Sequence, residues 1–444
     1  MENLENVNKP GRSIIFINYN KENKYSWASL VGALEESGIF YSGGLILETM
    51  NGEASMEKCL HDLSTGKIEH LHVLISTPSS NAGEDIAFIQ RVRDKAMNHG
   101  LNSCVTIISG GPHASARPLD MLNAGADAVV MGEGEESIIK FFESVMQHDG
   151  KNDDGIPSVM EILADVPNCC FRVPGEVGVK RTRVKQTKTL DTCPALASNH
   201  RMFRPVEITR GCPHGCYFCQ TSYLFGRKRR HRTIKNTVKW VKKAVRLKFD
   251  KLWFTTPDAF SYLMKGKQVN VKGITTLLKE LSRIPGLEQI FFGTFPSEVR
   301  PEHVTQEVID GIAPFIANRR FIVGAQSASP ELLKKTHRGH TVADIWNAID
   351  IITSSGFKID LDFIFGLPGE LKEDVIENMD FLNEILKNKR VRIHSHVFMP
   401  LPGTPFENEK PGTLDGELES KLGTFAKNGR LYGARHLEEK SSDL

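Results

Sequence analysis

Three cysteines crowd into one run of this chain, Thr209-Arg-Gly-Cys-Pro-His-Gly-Cys-Tyr-Phe-Cys-Gln220. Cys212, Cys216 and Cys219 follow a CxxxCxxC spacing directly after an expected strand, which puts three thiolates on one tight loop. Three thiolates can hold three irons of a 4Fe-4S cluster and leave the fourth iron open to another ligand. Gly211 and Gly215 let the loop turn tightly and bring backbone N–H groups toward the sulfurs. The alternative occupant is a structural zinc ion, which usually wants a fourth Cys or His at a matching spacing. His214 sits between two of the thiols and makes an awkward fourth. The run therefore predicts a cluster.

The rest of the composition describes an ordinary globular chain. Its 444 residues carry 56 Lys and Arg against 54 Asp and Glu, with 40% apolar residues. That balance excludes a disordered acidic chain and gives no reason to expect a nucleic-acid partner. Cys59, Cys104, Cys169, Cys170 and Cys193 are scattered, and a secreted disulfide framework would need a short chain with a signal sequence. The longest apolar runs, such as Ile14–Ile17 and Val129–Met131, fall far short of the ~20 residues that span a bilayer. Met1–Pro10 is polar and has no signal-peptide core. A cytoplasmic protein without a membrane partner is the expectation.

Alternating patterns supply the elements that must position the cysteines. From Ser13 to about His148, short apolar strands (Ser13–Asn18, Gly44–Glu48, His72–Ser76, Cys104–Ser109, Ala128–Met131) alternate with helices (Ser26–Ser37, Ala54–Leu63, Glu84–Asn98, Glu135–Met146). This predicts a parallel sheet covered on both faces, binding ligands at the strands' carboxyl ends. Residues 151–198 are rich in Gly, Pro, Asn and Asp and read as a linker, with a hairpin in the basic stretch Val177–Thr189. Six further strands follow, at Pro205–Thr209, Lys251–Thr255, Gln289–Gly293, Arg320–Gly324, Lys358–Phe365 and Arg392–Phe398, with helices between them. Six repeats are too few for a closed eight-stranded barrel and fit a partial one. The α/β expectation is thus a Rossmann-like domain over 1–150, the linker, a partial (β/α)6 barrel over 199–405, and a helical extension over 406–444.

On these motifs the sequence resembles the radical S-adenosylmethionine superfamily, and more closely its cobalamin-dependent members, from about Ser13 to Phe406. The resemblance implies that Cys212, Cys216 and Cys219 ligate the cluster, whose open iron chelates S-adenosylmethionine. It implies that Phe218 sits near the adenine and that Asp258, in Thr255-Thr-Pro-Asp258, binds the methionyl amine. Gly324-Ala-Gln-Ser327 is similar to the family's Gly-x-Glu-Ser, with Gln326 in place of the glutamate and Ser327 retained. Gly366-Leu-Pro-Gly-Glu370 and Met399-Pro-Leu-Pro-Gly-Thr-Pro405 resemble the loops after strands five and six. Each alone would be an ordinary turn; it is their order along the chain that carries the likeness.

In the first domain, Ser109-Gly-Gly-Pro-His113 and Gly132-Glu-Gly-Glu135 resemble the GGPH and GEGE signatures of cobalamin-binding domains. The implied contacts are Gly110, Gly111, Pro112, His113, Gly132, Glu133 and Gly134, with Ser76 beside the nucleotide tail. The Asp-x-His-x-x-Gly motif, whose histidine binds cobalt from below, is missing. The loop Asn18–Trp27, which includes Tyr25, stands in its place, so cobalamin is expected with its own base displaced and without a histidine under the cobalt. His113 is expected to fix the loop or touch the tail rather than ligate the metal.

Between Arg227 and Lys251, twelve Lys or Arg face one acid. The simplest reading is a solvated barrel helix; the sharper one is a docking surface for RNA or an acidic protein, with Arg227–Arg232 guiding substrate or reductant. The resemblance implies methyl transfer to an unactivated carbon through a 5′-deoxyadenosyl radical and methylcobalamin, with an external ferredoxin- or flavodoxin-type donor. It runs closest to archaeal, methanogen-type members, so a protein or peptide substrate, such as a glutamine of methyl-coenzyme M reductase, stands beside a small molecule. The alternatives are a cobalamin-assisted rearrangement or cyclisation, a tRNA methylthiotransferase, and a non-catalytic cobalamin sensor. The methylthiotransferase family needs three further clustered cysteines in its first domain, where this chain has Cys59 and Cys104.

Overall fold

The computed structural model describes residues 13–41, 44–49, 53–148, 159–203 and 205–433, so Met1–Pro10, the start of the expected linker and the last eleven residues lie outside it. The described chain separates into two units, residues up to 188 with 192–204, and 189–191 with 205 onward.

The first unit is built on a seven-stranded sheet. Its strands are β1 (Ser13–Ile17), β2 (Leu45–Thr49), β3 (His70–Ser76), β4 (Val105–Gly110), β5 (Ala128–Val130), β6 (Cys169–Phe171) and β7 (Lys180–Arg181), in the order β2-β1-β3-β4-β5-β6-β7. The first five are parallel, and β6 and β7 are antiparallel. Two apolar clusters, one around Phe16, Val73 and Ile107, the other around Ile15, Leu34 and Phe142, cover the two faces. Both faces are buried: every residue of β1 (Ser-Ile-Ile-Phe-Ile) is buried, as is every residue of β3 (His-Leu-His-Val-Leu-Ile-Ser) except its first, the half-buried His70. The parallel order 2-1-3-4-5 is the flavodoxin-like one, whose topological switch point lies between β1 and β3.

The expected linker is a correction. Residues 159–203 belong almost wholly to the first unit: Cys169, Cys170 and Phe171 are buried in the sheet, and the hairpin of β6 with β7 extends it. A stretch rich in turn residues was read as a connector, yet its short apolar core, Cys169-Cys-Phe171, is enough to pair with β5.

The second unit has six principal parallel strands. The first is interrupted as β8 (Val206–Glu207) and β9 (Thr209–Arg210), with Arg210 paired antiparallel to β10 (Arg230–His231). The others are β11 (Lys251–Thr255), β12 (Gln289–Phe291), β13 (Arg320–Gln326), β14 (Lys358–Phe365) and β15 (Val391–Val397). Hydrogen bonds from Ile322 N to Gly293 O and Gly324 N to Val299 O link the third strand's end to β13. The carboxyl-terminal extension is more than helical: after the helix Gly416–Lys427, β16 (Leu431–Tyr432) pairs parallel with β15 and adds a seventh strand at the barrel edge.

Alternation along β14 decides what faces the interior. Phe363 packs on Phe381 of the helix Lys372–Ile385, so Ile359, Leu361 and Phe363 face outward to the helices. Asp360 and Asp362 then face inward. Arg320 of β13 and Arg392 of β15 both pair with Asp360, and Tyr432 donates to it at 2.9 Å. The barrel interior is therefore polar, with its charges paired.

Candidate active site

The cysteine loop leaves β9 at the carboxyl end of the barrel. Gly211 has φ +85°, and a Cβ there would meet Lys228 O at 2.3 Å, so a side chain would split the turn from the returning chain. Cys212 N donates to Gly226 O, and Ser222 Oγ and the Tyr223 hydroxyl clasp the backbone of Gly215. Cys216 is 4% exposed, while Cys212 and Cys219 are half-buried. Arg338 Nη1 lies 3.6 Å and Arg300 Nη1 3.8 Å from Cys216 Sγ. Burial pushes the Cys216 thiol up, but these two guanidinium groups outweigh it and hold the thiol below its ordinary value. Burial holds Cys219 above its own.

His214 does not join the thiols. Its Nε2 lies 3.5 Å from Arg229 and its ring faces His303. Burial first, then Arg300, depresses it to about 3, so it stays neutral. Three thiols, one of them set between two cations, form a donor set that fits an anionic iron–sulfur cluster with one iron not ligated by the loop.

The motif stretches meet around this loop. Tyr217 stacks on His337 at 5.3 Å, its backbone N donates to Thr336 O, and Phe406 N donates to Tyr217 O. Gln220 Nε2 donates to Pro402 O at 2.8 Å, which ties the loop to the stretch Met399–Pro405. Phe218 packs into an apolar patch of Leu332, Ile364, Leu367, Phe398 and Phe406. Gln326 ends β13 at a bulge with φ +71°, a strained conformation for a side-chain-bearing residue.

Two expected contacts are committed elsewhere. Asp258 is 2% exposed; Oδ2 binds His303 Nδ1, while Oδ1 accepts from Phe260 N and Arg300 N. Burial opposes its charge, but His303 and Arg300 outweigh that and keep it ionised, so it anchors Arg300 rather than offering its carboxylate to a ligand. Ser327 donates to Asn378 Oδ1 inside the core.

Several site residues were missed. Gly324 marks where two of them meet the expected Gln326: a Cβ there would meet Arg338 Nη2 at 2.6 Å, Gln326 Nε2 at 2.8 Å and Glu298 Oε2 at 3.5 Å. Burial and the neighbouring Asp362 raise Glu298, and burial raises Asp362, so the hydrogen-bonded pair retains a proton at neutral pH. Asp362 Oδ1 also meets His394 Nδ1 at 2.8 Å. Asp360-x-Asp362 and His394-x-His396, polar residues at every second position of a strand, were the available signal.

At the switch point of the first unit, amide side chains fasten the loop after β1 to β3. Asn23 Nδ2 donates to Asn18 O at 2.6 Å and Ser76 O at 3.1 Å, Asn18 Oδ1 accepts from Ser76 N, and Asn18 Nδ2 reaches Asp85. Gly111 has φ +92°, and a Cβ there would strike Thr77 N at 2.8 Å, so it permits backbone packing. Gly134 likewise abuts Leu30, and Pro112 opens the helix Gly111–Ala116. His113 Nε2 lies 3.2 Å from Asp120, and Glu133 accepts from Thr187 N, so both secure the unit itself. Gly132 N donates to Ser115 Oγ. Tyr25 lies in the first turn of the helix Lys24–Ser37. Ser109 Oγ, near the carboxyl end of β4 beside Gly110, is fully buried without a protein partner, which fits a ligand hydrogen bond at this edge.

Residues 206–382 match the radical SAM superfamily. The likeness to that superfamily covers this stretch of the second unit. In fold the chain is similar to two solved cobalamin-dependent radical SAM enzymes. It matches the methyltransferase TsrM from Kitasatospora setae, solved with cobalamin and a 4Fe-4S cluster, at TM-score 0.65 and 17% identity, over 90% of this chain and 77% of that one. It matches the cobalamin-dependent S-adenosylmethionine radical enzyme OxsB at TM-score 0.62 and 16% identity, over 84% and 52%. In sequence, a tRNA-2-methylthio-N(6)-dimethylallyladenosine synthase of Acidithiobacillus ferrooxidans is 26% identical over 232 residues, 51% of this chain and 49% of that protein. This chain thus spans about half the length of that curated relative. Among the described residues, no helix is long and apolar enough to cross a membrane.

Proposed function

We propose that the chain is a cobalamin-dependent radical SAM methyltransferase acting on an unactivated carbon of a protein, peptide or small-molecule substrate. One combination carries this reading. A three-thiol loop with its central sulfur between Arg300 and Arg338 occurs in a chain whose other unit has flavodoxin-like order and an orphaned Ser109 hydroxyl. When bound, the cluster with S-adenosylmethionine supplies a hydrogen-abstracting radical and cobalamin supplies the methyl group. Cys212, Cys216 and Cys219 would hold the cluster, and Phe218 with its apolar neighbours would keep water from that end of the barrel. Ser76, Ser109, Gly110 and Gly132 would line the cobalamin edge. An external ferredoxin- or flavodoxin-type protein would deliver electrons. A glutamine of methyl-coenzyme M reductase is one candidate target.

The test is anaerobic reconstitution with iron, sulfide and cobalamin, then methyl-labelled S-adenosylmethionine and reductant. Labelled methylcobalamin, S-adenosylhomocysteine and 5′-deoxyadenosine should all form, and Cys216→Ala should lose the deoxyadenosine. Deoxyadenosine without any methylation of cobalamin would sink the proposal and leave a cobalamin-assisted rearrangement.

The curated relative favours a second reading, methylthio transfer to tRNA. Against it, Cys59 is buried on the helix Glu53–Ser64 with its thiol pushed up to about 11, chiefly by burial, and Cys104 is its lone companion before residue 150. Iron analysis separates the two: about four irons per chain fit one cluster and about eight fit two.

A further inference from the structure

Asp362, His394 and His396 each present a ligand atom, and these atoms all lie within 4.8 Å of one another. They come from neighbouring parallel strands in register, Asp362 opposite His394 and Ile364 opposite His396. Two ligands bound to one transition ion at its usual bond lengths stand about 3 Å apart. Asp362 Oδ1 and His394 Nδ1 are 2.8 Å apart, which is already that separation. The His396 ring lies 4.2 Å from that of His394, and Tyr432 stacks on His394 at 4.6 Å and fixes its plane. Glu298, hydrogen-bonded to Asp362, orients the carboxylate from outside, as partners of metal ligands do. An Asp362–His394 pair with a purely structural role would need no second imidazole on the same face. His396 supplies one, and it is open to solvent.

We propose that Asp362, His394 and His396 form a mononuclear divalent transition-metal site inside the barrel, distinct from the cysteine loop. Two imidazoles and one carboxylate suit iron(II), zinc, cobalt(II) or nickel(II) better than calcium or magnesium, which prefer all-oxygen shells. Three protein ligands leave positions for water or a substrate oxygen. The inference stands on this geometry and does not depend on the proposed methyl transfer.

The test uses the full chain with its cluster reconstituted and oxidised, without cobalamin, dialysed anaerobically against cobalt(II) and then against metal-free buffer. Elemental analysis should find one cobalt per chain beside an unchanged iron content. Low-temperature electron paramagnetic resonance should show high-spin cobalt(II) against the silent oxidised cluster. His396→Ala, an exposed change, should weaken cobalt binding at least about tenfold, and His394→Gln should abolish it. Absence of stoichiometric cobalt in the wild-type chain overturns the proposal, as does retention in His396→Ala. If His394→Gln fails to fold, His396→Ala decides alone.

Discussion

Arg338 touches both the cysteine loop and the barrel interior: Nη1 lies 3.6 Å from Cys216 Sγ while Nη2 donates to Gly324 O. Its charge lowers the Cys216 thiol. Hydrogen bonds and positive charge at a ligating sulfur stabilise the reduced cluster and raise its potential. Arg338→Gln should therefore leave about four irons per chain but lower the cluster's midpoint potential by tens of millivolts. Redox titration followed by electron paramagnetic resonance reads this directly. An unchanged potential with full iron content would show that Arg338 serves packing alone.

The Glu298–Asp362 pair sets the sign of a pH effect in the barrel unit. Both carboxyls are held above their ordinary values, Glu298 by burial and Asp362, Asp362 by burial. The folded state thus binds a proton that the unfolded chain, with carboxyls near ~4, has released at neutral pH. Stability should fall as pH rises from the unfolded carboxylate range through neutrality. Glu298→Gln keeps the hydrogen bond without the proton, and its melting temperature should change less between pH 6 and pH 9 than the wild type's. Parallel melting curves would refute the shared proton.

Glu35 gives the first unit the opposite dependence. Its carboxylate accepts from Ser198 Oγ, Asn199 N, His200 N and His200 Nδ1, which fastens residues 198–200 to the helix Lys24–Ser37. Burial alone would raise Glu35, yet the bonds from His200 and Asn199 prevail and hold it low. That stabilisation is present above the unfolded carboxylate value and is lost as pH falls through the lower folded one. Glu35→Ala leaves the buried Ser198 hydroxyl and three part-buried donors without their acceptor and should cost about 1–3 kcal/mol, seen as a lower first-unit transition in calorimetry at pH 7 that converges on wild type in acid.

The order of strands and helices was legible because alternation and apolar runs act locally: β11 and β14 have the bounds read from sequence. The cysteine loop was legible for the same reason, since its ligands are neighbours in the chain. What escaped depends on long-range pairing. Arg300 and Arg338 reach Cys216 from 84 and 122 residues away, and no local spacing announces it. The position of Asp258 just after β11 likewise says nothing of His303, which binds its carboxylate. The 159–203 segment was misread because three apolar residues suffice to join an existing sheet edge.

Asn23 shows how finely the switch point of the first unit is set. Its amide NH2 is aimed at two carbonyl oxygens, Asn18 O and Ser76 O, and its Oδ1 accepts from Asn20 N. Asn23→Ala leaves both buried carbonyls without that donor and should cost about 1–3 kcal/mol. Asn23→Asp is nearly isosteric but turns a carboxylate oxygen toward two carbonyls, so at pH 7 it should destabilise at least as much as alanine. Lowering the pH protonates that carboxyl and restores one donor, so the aspartate variant alone should regain melting temperature on acidification relative to Asn23→Ala. Because the same loop borders the cobalamin edge proposed above, cobalamin affinity, followed by absorbance titration, should fall in both variants and recover with pH only in the aspartate one. If the two variants behave alike at every pH, the amide is not what holds the loop.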